Sequence, residues 1–220
     1  NYIYHPVKDL DAQRNIKYGE KIIHQIFLNI TGKTLEEFPI YVKCMEKTKK
    51  WCVDNGWEHK LWTDIPWELC DEDDIHVLKE GSKRYSFIPC DYIRYIILEK
   101  IGGMYMDLEI IDRDIIIGAY CNKHPSNTII DDNTPELWKA NNNVIKLPHE
   151  LVLELRQYSI QQFKEKEKIK VYETWKRRFF FQSVSQDMFI RFMKLKGIPF
   201  DKQFYDYFDE NLTCAWGDIH

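Results

Sequence analysis

The arrangement of apolar and polar positions divides the chain into alternating strands and helices. Residues 21–30 (KIIHQIFLNI) are β-branched and aromatic with few polar interruptions, the pattern of a strand buried in a parallel sheet. Thr34 caps a helical stretch over residues 35–54, with Pro39 inside its first turns, and Asn55-Gly56 ends it. Residues 57–63 (WEHKLWT) read as a second strand. A strand, a helix of this length and another strand make a βαβ unit, right-handed by default. Residues 65–83 are rich in acids and predict irregular or weakly helical structure.

The pattern is clearest over residues 88–110 (IPCDYIRYIILEKIGGMYMDLEI). Pro89 stands where a helix begins, a place its fixed φ tolerates. Ile93, Ile96, Ile97 and Ile101 follow at helical spacing and predict its buried face. Gly102 and Gly103 stop the helix. Residues 104–110 then alternate as a strand, with Met104, Met106, Leu108 and Ile110 on one side and Tyr105, Asp107 and Glu109 on the other.

Beyond this, residues 128–130 and 136–147 read as later strands, the second broken by Asn141-Asn142-Asn143. Helices are predicted from His149 to about Lys168, ending in a solvated run of alternating Lys and Glu, and from Ser185 to Lys196, closed by Gly197-Ile198-Pro199. Residues 1–20 are mixed and polar, as in a surface arm. Strands alternating with helices predict one α/β domain over residues 1–220. Residues from about 20 to 147 carry the sheet, and residues 148–220 are helical.

Composition narrows the function without naming it. The chain has 220 residues, enough to bury a substantial core, and 15% are aromatic, which argues against a disordered chain. A net charge of −4 gives no footprint for nucleic acid. The six cysteines form no C-x-x-C pair, which argues against zinc and for buried or free thiols. No apolar run is long enough to span a membrane. The chain begins at Asn1, so a trimmed signal or anchor is compatible with it and the compartment stays open. Neither a nucleophile elbow nor a G-x-x-x-x-G-K phosphate loop occurs. His24 and His149 are isolated and read as core or capping residues.

The remaining chemistry lies in four side chains. On a strand, Asp107 and Glu109 point the same way. Two adjacent carboxylates suit either a divalent cation placed between them or the solvated face of an edge strand, and spacing by itself favours the second. Asp91 and Arg94, three residues apart, share a helix face. They form either a helix-start ion pair or a pair reaching a polar ligand. Gly102-Gly103 allows close backbone approach, although a helix stop also explains it.

Taken in order, these motifs resemble the sugar-nucleotide region of DXD-containing retaining glycosyltransferases. That group includes the yeast-type α-mannosyltransferases, the α-1,4-galactosyltransferases and the bacterial capsular sugar transferases, and the large clostridial glucosylating toxins have a similar region. The family pattern runs Ser/Cys-Asp-x-x-Arg, an apolar helix, Gly-Gly, a short aromatic strand and Asp-x-Asp. In this chain it reads Cys90-Asp91-Tyr92-Ile93-Arg94, Gly102-Gly103, Tyr105 and Asp107-Leu108-Glu109. KIIHQIFL resembles the family's first strand, and Trp62 fits its next element. The resemblance covers about residues 20–150.

The resemblance implies a GT-A fold, a single Rossmann-like domain. It implies a metal-dependent transfer of a hexose from a nucleoside-diphosphate sugar to a glycan, protein or lipid hydroxyl, with retention. UDP is the favoured nucleotide and GDP the alternative. By the same resemblance, Phe27 would stack on the base and Asp91 and Arg94 would hold the sugar and diphosphate. Gly103 and Asn143 would line the donor pocket. Asp107 would contact ribose and metal, and Glu109 would bind Mn²⁺ or Mg²⁺ directly. Trp216 and His220 would approach that metal from the C-terminal tail. The second acid of the Asp-x-Asp motif is here Glu109, one methylene longer. Residues 173–178 (ETWKRR) replace a Thr-Gly-Pro segment common in the family. A nucleotide-sugar hydrolase and a catalytically silent nucleotide-sugar-binding module are the alternative functions.

Overall fold

The sheet is built around β1 (Gly19–Ile26), an apolar strand interrupted by two buried polar residues, His24 and Gln25. The structure is a computed structural model that describes residues 19–108, 144–169, 180 and 182–197. In it β1 pairs in parallel with β2 (Glu58–Trp62) on one side and with β3 (Gly102–Met106) on the other. A two-residue β4 (Val144–Ile145) adds antiparallel to β3, giving the order β2-β1-β3-β4. Three parallel strands with flanking helices make a mixed α/β architecture. The expected strand at 128–130, residues 136–143 of the one expected at 136–147, and residues 1–18 of the arm expected at 1–20 lie outside the described residues; residues 19–20 belong to β1 rather than to an arm.

Helix α1 (Pro39–Asn55) joins β1 to β2. The expected helix over 35–54 is divided in two. A 3-10 turn at Leu35–Glu37 comes first, with the Glu37 carboxylate accepting the Thr34 backbone N–H at 2.6 Å, and α1 restarts at Pro39. The division is local chemistry, since Pro39 has no N–H to continue a helix and keeps Phe38 out of helical geometry, at φ −119° and ψ 80°. Gly56 closes α1 in the left-handed region.

Of the two readings of acid-rich residues 65–83, irregular or weakly helical, the helical one holds over most of the stretch. Residues 72–84 form a full helix, α2 (Glu72–Arg84). The acids that left the stretch undecided build its start. Asp71 and Asp74 exchange backbone N–H bonds through their carboxylates, each at 2.9 Å, in a reciprocal cap. Three acids occupy the first turn and Lys83 and Arg84 the last, as the helix dipole favours.

Helix α3 (Ile88–Ile101) runs into β3 through Gly102. The sequence predicts one buried isoleucine face. Instead α3 is buried nearly all round, Arg94 and Glu99 included, because it is covered by the sheet, by α2 and by α4 (His149–Glu167). Helix α5 (Gln186–Leu195) packs in turn on α4. The core on this side joins Ile26, Trp62 and Tyr105 of the strands to α3, α4 and α5.

One arginine fastens α4 to the other helices. Arg156 directs Nη1 to Asp71 at 2.9 Å and to Asp74 at 2.7 Å, and it also pairs with Glu99 through Nε. The Tyr92 hydroxyl donates to Asp74 at 2.6 Å. Burial pushes the Asp74 carboxyl upward in pKa, against the pull of Tyr92 and Arg156. No local pattern announces this network, since its members come from three helices.

Two faces of the sheet can be told apart by register. Ile23 pairs with His59 and Met104, and His24 with Lys60 and Tyr105. The His24–Ile26–Tyr105 face carries α3. The opposite face carries α1, as the ring contacts of Phe27 with Phe38 and Tyr41 show. The chain winds from β1 towards β2 and then back across to β3. The carboxyl ends of β1 and β3 therefore flank a point where the winding reverses, and in open α/β sheets ligands bind in such crevices.

Among the described residues, Cys44, Cys52, Cys70 and Cys90 stand outside any disulfide. Among the same residues, no helix is long and apolar enough to cross a membrane.

Candidate functional site

Asp91, Arg94 and Asp107 meet at the carboxyl end of β3. Asp91 enters from the first turn of α3, Arg94 from one turn later, and Asp107 from the residue after the strand. Arg94 Nη2 lies 2.8 Å from Asp91 Oδ1, and its Nη1 lies 3.5 Å from Asp107 Oδ1. The guanidinium also rests over the Tyr105 ring, 4.3 Å from its centroid, and Nε donates to the Cys90 carbonyl at 3.3 Å. The Tyr105 hydroxyl donates to Asp107 Oδ1. This contact follows from the strand alternation, which places residues 105 and 107 on one face.

The site is graded in exposure. The Arg94 side chain is 5% exposed, whereas Asp91 and Asp107 keep 16% and 19%. Burial works against the arginine's charge, but Tyr105, Asp107 and Asp91 outweigh it and hold the guanidinium protonated well beyond the ordinary range. The cluster joins two carboxylates to one guanidinium. The Cys90 thiol, between the first turn of α3 and the Leu28 backbone, is pushed up to about 12 by burial and by Asp91, with Arg94 opposing. It is a protonated neighbour of the cluster at neutral pH.

The other expected residues divide into three groups. Phe27 follows β1, half-buried, on the α1 face, with its ring 5.8 Å from Phe38 and 6.4 Å from Tyr41. It projects from the strand adjacent to the one that carries Asp107, although on the other face of the sheet. Gly103 stands at the opposite end of β3 from Asp107, and the structure gives it a packing reason. Its φ is +82°, and a Cβ there would lie 2.5 Å from the Ile22 carbonyl oxygen and 3.3 Å from His24 Nε2. Glu109, Asn143, Trp216, His220 and residues 173–178 lie outside the described residues.

His24 is a core histidine. The Trp62 indole N–H donates to its Nδ1 at 3.2 Å, and Nε2 faces the Gly102 carbonyl at 3.0 Å. Burial first, then Lys60 and His59, lower its pKa to about 4, with the Gly102 bond opposing.

Of the residues expected to hold a metal, Asp107 lies among those described. Among the described residues no group of three His, Cys, Asp or Glu side chains is placed to hold a metal. Asp107 offers one partly exposed carboxylate. Mg²⁺ and Mn²⁺ commonly use one or two carboxylates and complete their shell with phosphate and water. No protein-family model matches the chain, and no curated protein matches it.

Proposed function

We propose that the Asp91–Arg94–Asp107 cluster holds a nucleoside-diphosphate sugar, and that the protein is a metal-dependent, retaining glycosyltransferase of GT-A fold acting on a hydroxyl acceptor. The observation that carries this reading is the convergence of three residues from two elements on one partly open point, at the carboxyl edge where the winding of the sheet reverses. The motif resemblance gives that point its chemistry.

In this reading Asp107, with Glu109, would hold Mn²⁺ or Mg²⁺. When bound, such a cation supplies Lewis-acid neutralisation of a departing diphosphate. The chain's own residues do the rest. Arg94, fixed in direction by two carboxylates and the Tyr105 ring, presents a permanent positive charge to phosphate or sugar oxygens. Asp91 and Asp107 would accept hydroxyl hydrogens, a carboxylate having roughly four acceptor positions. Tyr105 keeps Asp107 oriented. Phe27, beside Phe38 and Tyr41, offers an aromatic surface to the base. UDP is preferred to GDP only because it is the commoner donor across this fold.

The test is a screen of UDP- and GDP-sugars for Mn²⁺-dependent release of nucleotide, with and without hydroxyl acceptors. Release that requires an acceptor supports transfer, and equal release without one points to a hydrolase. Metal-dependent binding without release marks a silent binding module. Undiminished turnover in Asp107→Ala would remove the site from the reaction.

A further inference from the structure

Gln25 is fully buried near the carboxyl end of β1, where a polar side chain is retained only if its hydrogen bonds are met. Its amide spans two strands. Nε2 lies 3.5 Å from the backbone carbonyl of Asp107, and Oε1 lies 2.9 Å from His59 Nε2. The carbonyl can only accept, so the amide must turn its NH₂ towards Asp107 and its oxygen towards His59. His59 Nε2 therefore carries a hydrogen and donates it. Direction is fixed along the whole chain, from His59 on β2, through Gln25 on β1, to the peptide unit that carries Asp107.

We infer that Gln25 is a positioning residue for Asp107, held in its own orientation by His59. Asp107 follows the last residue of β3. Gln25 directs a donor to its carbonyl from the α1 face, while Tyr105 and Arg94 take the carboxylate on the other face. The peptide and the side chain of Asp107 are thus secured from opposite sides of the sheet. The consequence for ligand binding rests on the function proposed above; the consequence for the Asp107 main chain does not.

The amide resonance of Leu108 reports the peptide unit whose carbonyl is that of Asp107. It can be followed by ¹⁵N NMR in the full chain for the native protein, Gln25→Met, His59→Leu and His59→Gln. Gln25→Met and His59→Leu should each move the Leu108 resonance. His59→Gln restores an N–H donor at similar reach and should bring it back towards the native position. With Mn²⁺ and UDP, the first two should weaken binding by about tenfold, as loss of a supporting shell does, and His59→Gln should not. If Gln25→Met fails to fold, His59→Leu, at a half-buried position, carries the test. A Leu108 resonance unmoved in both variants overturns the inference, as does a moved resonance with unchanged UDP affinity. A moved resonance in a protein that binds no nucleotide sustains the positioning role and sinks the proposed function instead.

Discussion

Arg94 reaches from α3 past the Gly102-Gly103 turn to place its Nη1 3.5 Å from the Asp107 carboxylate beyond the end of β3. The turn makes this possible. Gly102 and Gly103 both take positive φ, at 81° and 82°, so the chain reverses at once from helix to strand. A side chain from the first half of α3 then lies beside the far end of β3. The contact joins two elements that local sequence pairs only as neighbours in order.

Arg94→Met should therefore cost about 3 kcal/mol of folding stability, because two carboxylates lose their shared cation in a largely buried place. Arg94→Lys should recover only part of that, since an ammonium cannot span two carboxylates as a planar guanidinium does. Urea denaturation measures both. A loss below about 0.5 kcal/mol in Arg94→Met, the range of ordinary surface changes, would show that the cluster is not coupled.

Asp107→Asn keeps the shape and a donor-acceptor tip but removes a charge. Calorimetry with UDP and Mn²⁺ should show affinity lowered by at least tenfold, about 1.4 kcal/mol. The same titration with Mg²⁺ should fall in parallel. Equal affinity in native and variant protein would place the metal elsewhere.

His24 gives a pH dependence with a definite sign. Its folded pKa is about 4, against the ordinary histidine value of 6.5. Between those values the unfolded chain takes up a proton that the folded one refuses, so stability is full above about pH 6.5 and is lost as pH falls towards 4. The term is on the order of 3 kcal/mol. Chemical denaturation at a series of pH values should show that slope, and His24→Gln should flatten it. An unchanged slope in the variant would assign it to other groups.

Two glycines separate backbone strain from collision. Gly56→Ala meets nothing within 4 Å and has only its φ of +68° to overcome, so it should cost about 1 kcal/mol. Gly103→Ala has positive φ and also drives a Cβ against the Ile22 carbonyl, and it should cost at least about 2 kcal/mol more. Comparable melting temperatures for the two variants would contradict the close approach of β1 and β3.

Arg156→Met should be the most damaging helix substitution. It strands Asp71, Asp74 and Glu99, of which two are almost wholly buried, and should cost about 3–5 kcal/mol. Replacing Asp71, the half-exposed member, by Asn should cost much less, in part because a cap is kept. Thermal unfolding of the two variants tests the order, and a reversal would move the weight of the network to the surface.

The sequence alone determined what depends on neighbours within a few residues. Apolar runs and glycine stops located β1, α1, β2, α3 and β3, and the spacing of Asp91 and Arg94 put them on one helix face. Alternation put Tyr105 beside Asp107. Acid-rich residues 72–84 stayed undecided between irregular and weakly helical, because charge reads as solvation until the reciprocal cap of Asp71 and Asp74 is seen. Tertiary structure decided what depends on elements meeting. It alone brought Arg94 onto Asp107, placed Gln25 behind that residue, buried α3 on every side and gave Arg156 its three carboxylates. Hydrogen bonds and ion pairs act over a few ångströms in space, and nothing in local periodicity encodes which distant positions will share them.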